Sequence, residues 1–267
     1  MPRPDIAAPA RTAPLVEADV AAQLAAAYGA VERGDYASAL EIWGPLAQAG
    51  VPRAQSNVGA CFANGLGVTA DGALALRWLT LAAESGDAVG QRNLASLYFK
   101  GELVEMDPAA AARWYRTAAE QGDAESQDML SWLLVEGELL PPDYEEARRW
   151  ALAAAEQGVA AAMTRIGMLY HNALGVARDP AAAVVWWHKA ALLGDADGQA
   201  MLGAAHHLGA GAARDSVTAL AWLLRGRRGG SKLAEPFIPA VITACDPAQR
   251  QEAERRAATP MPDSGAP

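Results

Sequence analysis

Hydrophobic and polar positions recur along this chain with a period of 36 residues. Val58, Leu94, Leu130, Ile166 and Leu202 form one apolar column. One turn further on, Phe62, Tyr98, Leu134, Tyr170 and His206 continue it on the same helical face. A second apolar run follows in each unit: Ala75, Trp78 and Ala82 stand at i, i+3 and i+7, and the Ala and Trp columns repeat through Ala111, Ala147, Ala183 and Ala219 and through Trp114, Trp150, Trp186 and Trp222. Polar punctuation keeps the same register. Asp71, Asp107, Asp143, Asp179 and Asp215 precede the second run, where a carboxylate can accept from the unpaired N–H groups of a first helical turn. Pro108 and Pro180 follow two of them, at the first helical position. Asp143 and Glu146 have the spacing of a capping box. Gly50, Gly86, Gly122, Gly158, Gly194 and Gly230 close the units in positions suited to left-handed helix ends.

The pattern predicts a first helix over Ala54–Gly65 and its copies, a short Gly-containing loop, a second helix, and a Gly turn. Gly65, Gly101, Gly137 and Gly209 end the first helices, and Ala173 breaks that column. The period falls in the range of paired-helix solenoids. The predicted fold class is therefore all-α, a right-handed α-solenoid of stacked antiparallel helix pairs. Residues 51–230 supply five units. Residues 17–50 are a capping hairpin turning at Gly34-Asp35-Tyr36, and residues 231–258 a C-terminal capping segment with a charged helix from Pro247 to Ala258. Residues 1–16 and 259–267 are Pro-rich and small, and are expected to be disordered.

The unit AQSNVGACFANGLGVTADGALALRWLTLAAESGDA resembles a Sel-one-like repeat (SLR), a relative of the tetratricopeptide repeat, and so does AMTRIGMLYHNALGVARDPAAAVVWWHKAALLGDA. Leu103 and Leu139 depart from the family's loop, which has a second Gly there. Arg225, Gly226 and Arg227 depart in the last unit. The N-terminal hairpin is closer to a plain tetratricopeptide pair. The resemblance implies an architecture and a protein-binding role, not a reaction. A cysteine-rich branch of the family linked to β-lactams carries a Cys pair per unit; this chain has only Cys61 and Cys245, so a hydrolase reading fails on that ground.

Composition narrows the function further. Of 267 residues, 52% are hydrophobic but only 6% aromatic, which suits close helix packing and not a β-sandwich. The net charge of −9 argues against nucleic acid as a partner. The longest uncharged stretch, Gly198–Ala213, is too short and too rich in Gly to enter a membrane. Only Lys100, Lys189 and Lys232 are lysines, a bias typical of GC-rich bacterial genomes. The N-terminus lacks the apolar stretch of a secretion signal, so a cytoplasmic location is expected, or a periplasmic one if the true start lies upstream. A monomer is expected, and the two distant cysteines support neither a disulfide framework nor a zinc site.

Catalytic motifs are not found, and no cofactor is expected. GLGV after Gly65 lies between two helices with no Lys-Ser/Thr following, so it is not a phosphate loop. The Trp column reads as core between helices, Cys61 as a buried small hydrophobe, and the Asp column as helix caps. His171 and His207 occupy one column in consecutive units, a pairing that a transition metal or a pH response could use. No third ligand accompanies them, since the adjacent column holds Lys100, Glu136, Asn172 and Leu208, and no metal is assigned.

Three columns of the first helix vary while the rest repeats. They read Ser56, Arg92, Asp128, Thr164, Ala200; Ala60, Ser96, Trp132, Met168, Ala204; and Ala63, Phe99, Val135, His171, His207. By resemblance to tetratricopeptide arrays this face lines the concave groove. Phe99, Trp132, Val135, Met168 and His171 would form an apolar strip, with His207 beyond it, Arg92 and Lys100 flanking, and Asp128 and Glu136 nearby. The expected function is a non-catalytic scaffold that binds a partner peptide or helix there. The alternative is a regulatory sensor switched by a ligand, metal or proton at the paired histidines.

Overall fold

The computed structural model describes residues 17–261 and contains no strand among them. Helices α1 (Glu17–Glu32) and α2 (Tyr36–Gln48) form the N-terminal hairpin. Five helix pairs follow: α3 (Pro52–Asn64) with α4 (Gly72–Glu84), α5 (Ala88–Lys100) with α6 (Pro108–Glu120), α7 (Ala124–Glu136) with α8 (Tyr144–Glu156), α9 (Ala160–Asn172) with α10 (Pro180–Leu192), and α11 (Ala196–Leu208) with α12 (Ser216–Arg228). A 3-10 turn (Lys232–Ala234), α13 (Ile238–Ala244) and α14 (Pro247–Ala258) complete the chain. The fold is an all-α solenoid of stacked helix pairs. It divides into two compact units, one ending at Gln127 and one starting at Asp128. The expected tails at residues 1–16 and 262–267 lie outside the described residues.

Each column has a visible physical role. All five Asp residues before the second helices accept from a backbone N–H three residues on, at 2.8–3.0 Å. Glu146 does not close a capping box with Asp143 as its spacing suggested. Its carboxylate instead accepts from the Trp150 indole at 3.0 Å and from Arg149, while the Asp143 N–H donates to the Leu134 carbonyl. A box does form at α14, where Asp246 and Gln249 cap each other. The first-helix apolar column is buried throughout, with Val58, Leu94, Leu130, Ile166 and Leu202 at 0–1% exposure. Cys61 is buried beside it, and desolvation pushes its thiol up to about 11.

The Trp column is only partly the core that its identity suggested. Trp78 is buried, but Trp114, Trp150, Trp186 and Trp222 are half-exposed. The next residue is buried in every copy: Leu79, Tyr115, Ala151, Trp187 and Leu223. A residue four positions after Ala75 lies closer to the helix's buried stripe than one three positions after it. The first helix makes room for it. A Cβ added at Gly167 would come within 2.4 Å of the Trp187 indole nitrogen, and Gly59 and Gly203 stand in the same way against Leu79 and Leu223.

A buried glutamine ties successive pairs together. Gln55, Gln91, Gln127 and Gln199 each donate to a carbonyl eight residues back, at the end of the preceding second helix, at 3.1–3.2 Å. This satisfies acceptors that a helix C-terminus leaves open. Met163 takes this place in the fourth pair.

Ala173 ends α9 in the left-handed conformation at φ 58°, the one described non-glycine with positive φ. Ala173→Gly removes the Cβ conflict there, and is expected to stabilise the protein by about 0.5–1 kcal/mol. Urea denaturation of both proteins measures it.

The C-terminal segment continues the register past the fifth pair. Ile238 and Val241 stand 36 residues after Leu202 and Ala205, and both are buried. Pro236 and Pro239 break this last first helix into the 3-10 turn and α13. Helix α14 then lies against α12. Arg225 donates to the carbonyls of Arg256 and Thr259 at 2.6 Å each, and Arg228 to that of Ala257 at 3.0 Å. These arginines cap the end of α14, which explains why the fifth unit departs from its predecessors there. Thr259, expected in a disordered tail, is fixed by those contacts and by its own N–H to Arg255.

Candidate functional site

The variable columns of the first helices separate into a seam and a surface. The first column is the seam. In the first unit Ser56 is fully buried and accepts from the Asn93 amide at 3.2 Å. Arg92, expected to flank a groove, instead pairs with Asp123 at 2.7 Å and Glu125 at 3.3 Å. Asp123 also caps α7 through the Ser126 N–H, so the guanidinium links one repeat to the start of the next. Arg53 treats Asp87 in the same manner at 2.8 Å. In the second unit Asp128 pairs with Arg165, both largely buried, and the Thr164 hydroxyl donates to Asp195 at 2.6 Å. Ala200 is buried. These groups are consumed between repeats: Arg92, expected to flank the groove, is a strut, and Asp128, expected nearby, is another.

The second and third columns are the surface. In the first unit Ala60, Ala63, Ser96 and Phe99 are half-buried and Lys100 is exposed. A cavity of 80 Å³ opens between α3 and α5, with Lys100, Asn64, Asn93 and Ser96 on its wall. Behind it, burial pushes the Tyr115 phenol up to about 12, against the opposing effect of its hydrogen bond with Ser96.

In the second unit Trp132, Val135, Met168, His171 and His207 are all half-buried. The two histidines turn to different aromatic rings. His171 lies 5.4 Å from Trp187, with a tilted ring, and His207 lies 6.5 Å from Phe237 edge to face. The His171 backbone carbonyl accepts from Arg178, and its buried Nδ1 has no hydrogen-bond partner among the described residues. Each imidazole therefore extends an aromatic surface. Among the described residues no group of three His, Cys, Asp or Glu could hold a metal ion, and no helix is long and apolar enough to cross a membrane.

A second surface went unread in the sequence. On α10, Val185 and Leu192 are exposed, at 54% and 38%. The same positions in α4, α6 and α8 hold Arg77, Arg113 and Arg149, and Glu84, Glu120 and Glu156. Comparing second-helix columns as closely as first-helix columns finds it. Beside it the Lys189 ammonium lies 4.2 Å over the ring of Trp186.

Comparison with known proteins agrees with this architecture. A family model described as the Sel1 repeat matches residues 52–87, 88–123, 124–159, 160–195 and 196–231. Among solved structures, a Sel1 repeat protein from Oxalobacter formigenes aligns at TM-score 0.76 and 28% identity, covering 88% of this chain and 98% of that one. The protein c5321, a protective antigen of uropathogenic Escherichia coli with an SLR fold, aligns at TM-score 0.57 and 24% identity. That alignment covers 90% of this chain and 60% of the antigen, and shows a shared fold. The search of curated proteins found no match.

Proposed function

Because the chain belongs to the Sel1 repeat family, whose members are generally protein-interaction scaffolds, we propose that it is a non-catalytic scaffold holding a segment of another protein on the exposed face of its first helices. One observation carries the reading. The residues that stack the repeats are buried or ion-paired, whereas Trp132, Val135, Met168, His171 and His207 occupy the variable columns and keep part of their surface in solvent. Aromatic and Met side chains in that state are the usual anchors of a bound peptide or helix. Stacking does not call for Trp132 or Met168, since Ala60, Ser96 and Ala204 fill the same position elsewhere in the array.

A photo-crosslinking amino acid at Val135 or Met168 tests the location. Irradiation in lysate is expected to give an adduct of one defined mass from both positions and none from Arg149 on the outer side of α8. Adducts from Val185 but not from Met168 would move the interaction to the outer face of α10 and contradict the proposal.

A further inference from the structure

The cavity between α3 and α5 has the chemistry of a carboxylate site. Its wall holds Lys100, Asn64 and Asn93, with Ala60, Ala63, Leu79 and Leu97 supplying the apolar part. The space exists because Ala60 and Ala63 are small; the same columns hold Trp132 and Met168, and Val135 and His171, further along the array. At 80 Å³ it admits a group of a few heavy atoms, the size of a carboxylate with its attached carbon.

The donors outnumber their present partners. The Lys100 ammonium is exposed, and among the described residues it makes no ion pair. Asn64 uses one amide hydrogen on the Ala60 carbonyl at 2.8 Å, and Asn93 one on the Ser56 hydroxyl at 3.2 Å. Each keeps a second N–H. Lys100 is the one cation lining the cavity, and Glu102, exposed at the rim, the one acid.

We propose that the Lys100–Asn64–Asn93 cavity takes a carboxylate of the partner segment, either an Asp side chain or a chain terminus. This rests on the first-helix face being the binding face. The carboxylate would receive one charge-assisted bond from Lys100 and neutral bonds from the two amides. It would fix the register of the bound segment on α3 and α5.

The test uses the full chain labelled with ¹⁵N and three short acetylated peptides of sequence Gly-Gly-Ala-Ala-X. X is amidated Asp, amidated Asn, or Ala with a free terminus. Saturable amide shifts are expected at residues 60–64 and 93–103, with at least one carboxylate peptide binding about tenfold more tightly than the Asn peptide. The Asp and free-terminus arms distinguish the two sources. Lys100→Met is expected to abolish that difference, and Glu102→Gln to tighten binding severalfold by removing a like charge. Both positions are exposed, so both variants should melt as wild type does.

The opposite pattern, tighter binding in Lys100→Met and weaker in Glu102→Gln, would mean a cationic ligand and overturn the proposal. Equal response to Asn and to the carboxylate peptides would overturn it while leaving the first-helix face as the binding face. No shift at these residues with any peptide would overturn it too, with the crosslinks from Val135 and Met168 deciding the broader reading separately.

Discussion

Trp187→Ala is expected to destabilise the protein by about 3–5 kcal/mol, the range for deleting a fully buried aromatic side chain. Trp187 is 1% exposed, and its indole donates to the Thr164 carbonyl at 3.2 Å. The first helix offers nothing to fill the hole, because the residue facing the indole is Gly167. The truncation also removes the ring on which His171 rests. Trp186→Ala, one residue earlier, is expected to cost only about 1–2 kcal/mol, since that ring is half-buried at the edge of the core, with the Lys189 ammonium over it. Urea denaturation of the two variants separates the columns. A larger loss at Trp186 than at Trp187 would reverse the assignment of the core. In thermal melts the Trp187 variant should fall on the order of 10 °C below wild type.

Gly211→Val is the second large effect, expected at about 3 kcal/mol or more. Two costs add there. Gly211 has φ +80°, a conformation that a β-branched residue strongly resists. A Cβ built on it would also lie 2.0 Å from the Pro180 carbonyl oxygen, so the loop must leave the start of α10. The array supplies its own control. Leu103 occupies the equivalent place in the second repeat, and the glycine there has moved to the other side of the contact: a Cβ on Gly72, the first residue of α4, would meet the Leu103 carbonyl at 2.2 Å. Gly72→Ala is therefore expected to cost stability although φ at that position is negative. Leu103→Gly, which only frees an exposed side chain, is expected to cost little. Comparable melts for Gly211→Val and wild type would mean that the loop is not seated on α10.

Much of the fold was legible because its signals are local. An Asp cap, a Pro at the first helical position and a Gly after the last turn act within a few residues, and five copies in register reinforce one another. The family resemblance rested on the same residues. What misled was residue identity taken without helical phase. The Trp column drew attention as core, yet the buried position is the next one, held by Leu79, Tyr115, Ala151, Trp187 and Leu223, too varied to stand out. Three residues facing it, Gly59, Gly167 and Gly203, carried a readable signal: each leaves room for the large side chain opposite, Leu79, Trp187 and Leu223.

The candidate site was legible in part. The variable columns are real features of the sequence, but one of the three is a seam. Its bonds join Arg92 to Asp123, Thr164 to Asp195 and Asp128 to Arg165, at separations of 31, 31 and 37 residues. The columns joined stay the same, 31 or 37 residues apart, but the residue types change from repeat to repeat, Arg or Thr on the same Asp and Asn–Ser or Arg–Asp across the other pair, so no fixed residue pattern marks them. The buried glutamines were readable at the period but look like surface residues by type alone. The broken sixth first helix was hidden by Pro236 and Pro239, which interrupt the helical pattern while Ile238 and Val241 keep its buried positions.

We propose that the exposed first-helix face holds a partner protein. The most direct measurement is quantitative capture from lysate by wild type and by Trp132→Ala/Met168→Ala, after matching circular dichroism and melting curves. Two anchors lost together are expected to lower the yield of the specific partner at least tenfold. An unchanged yield from a variant that folds and melts as wild type does would contradict the account.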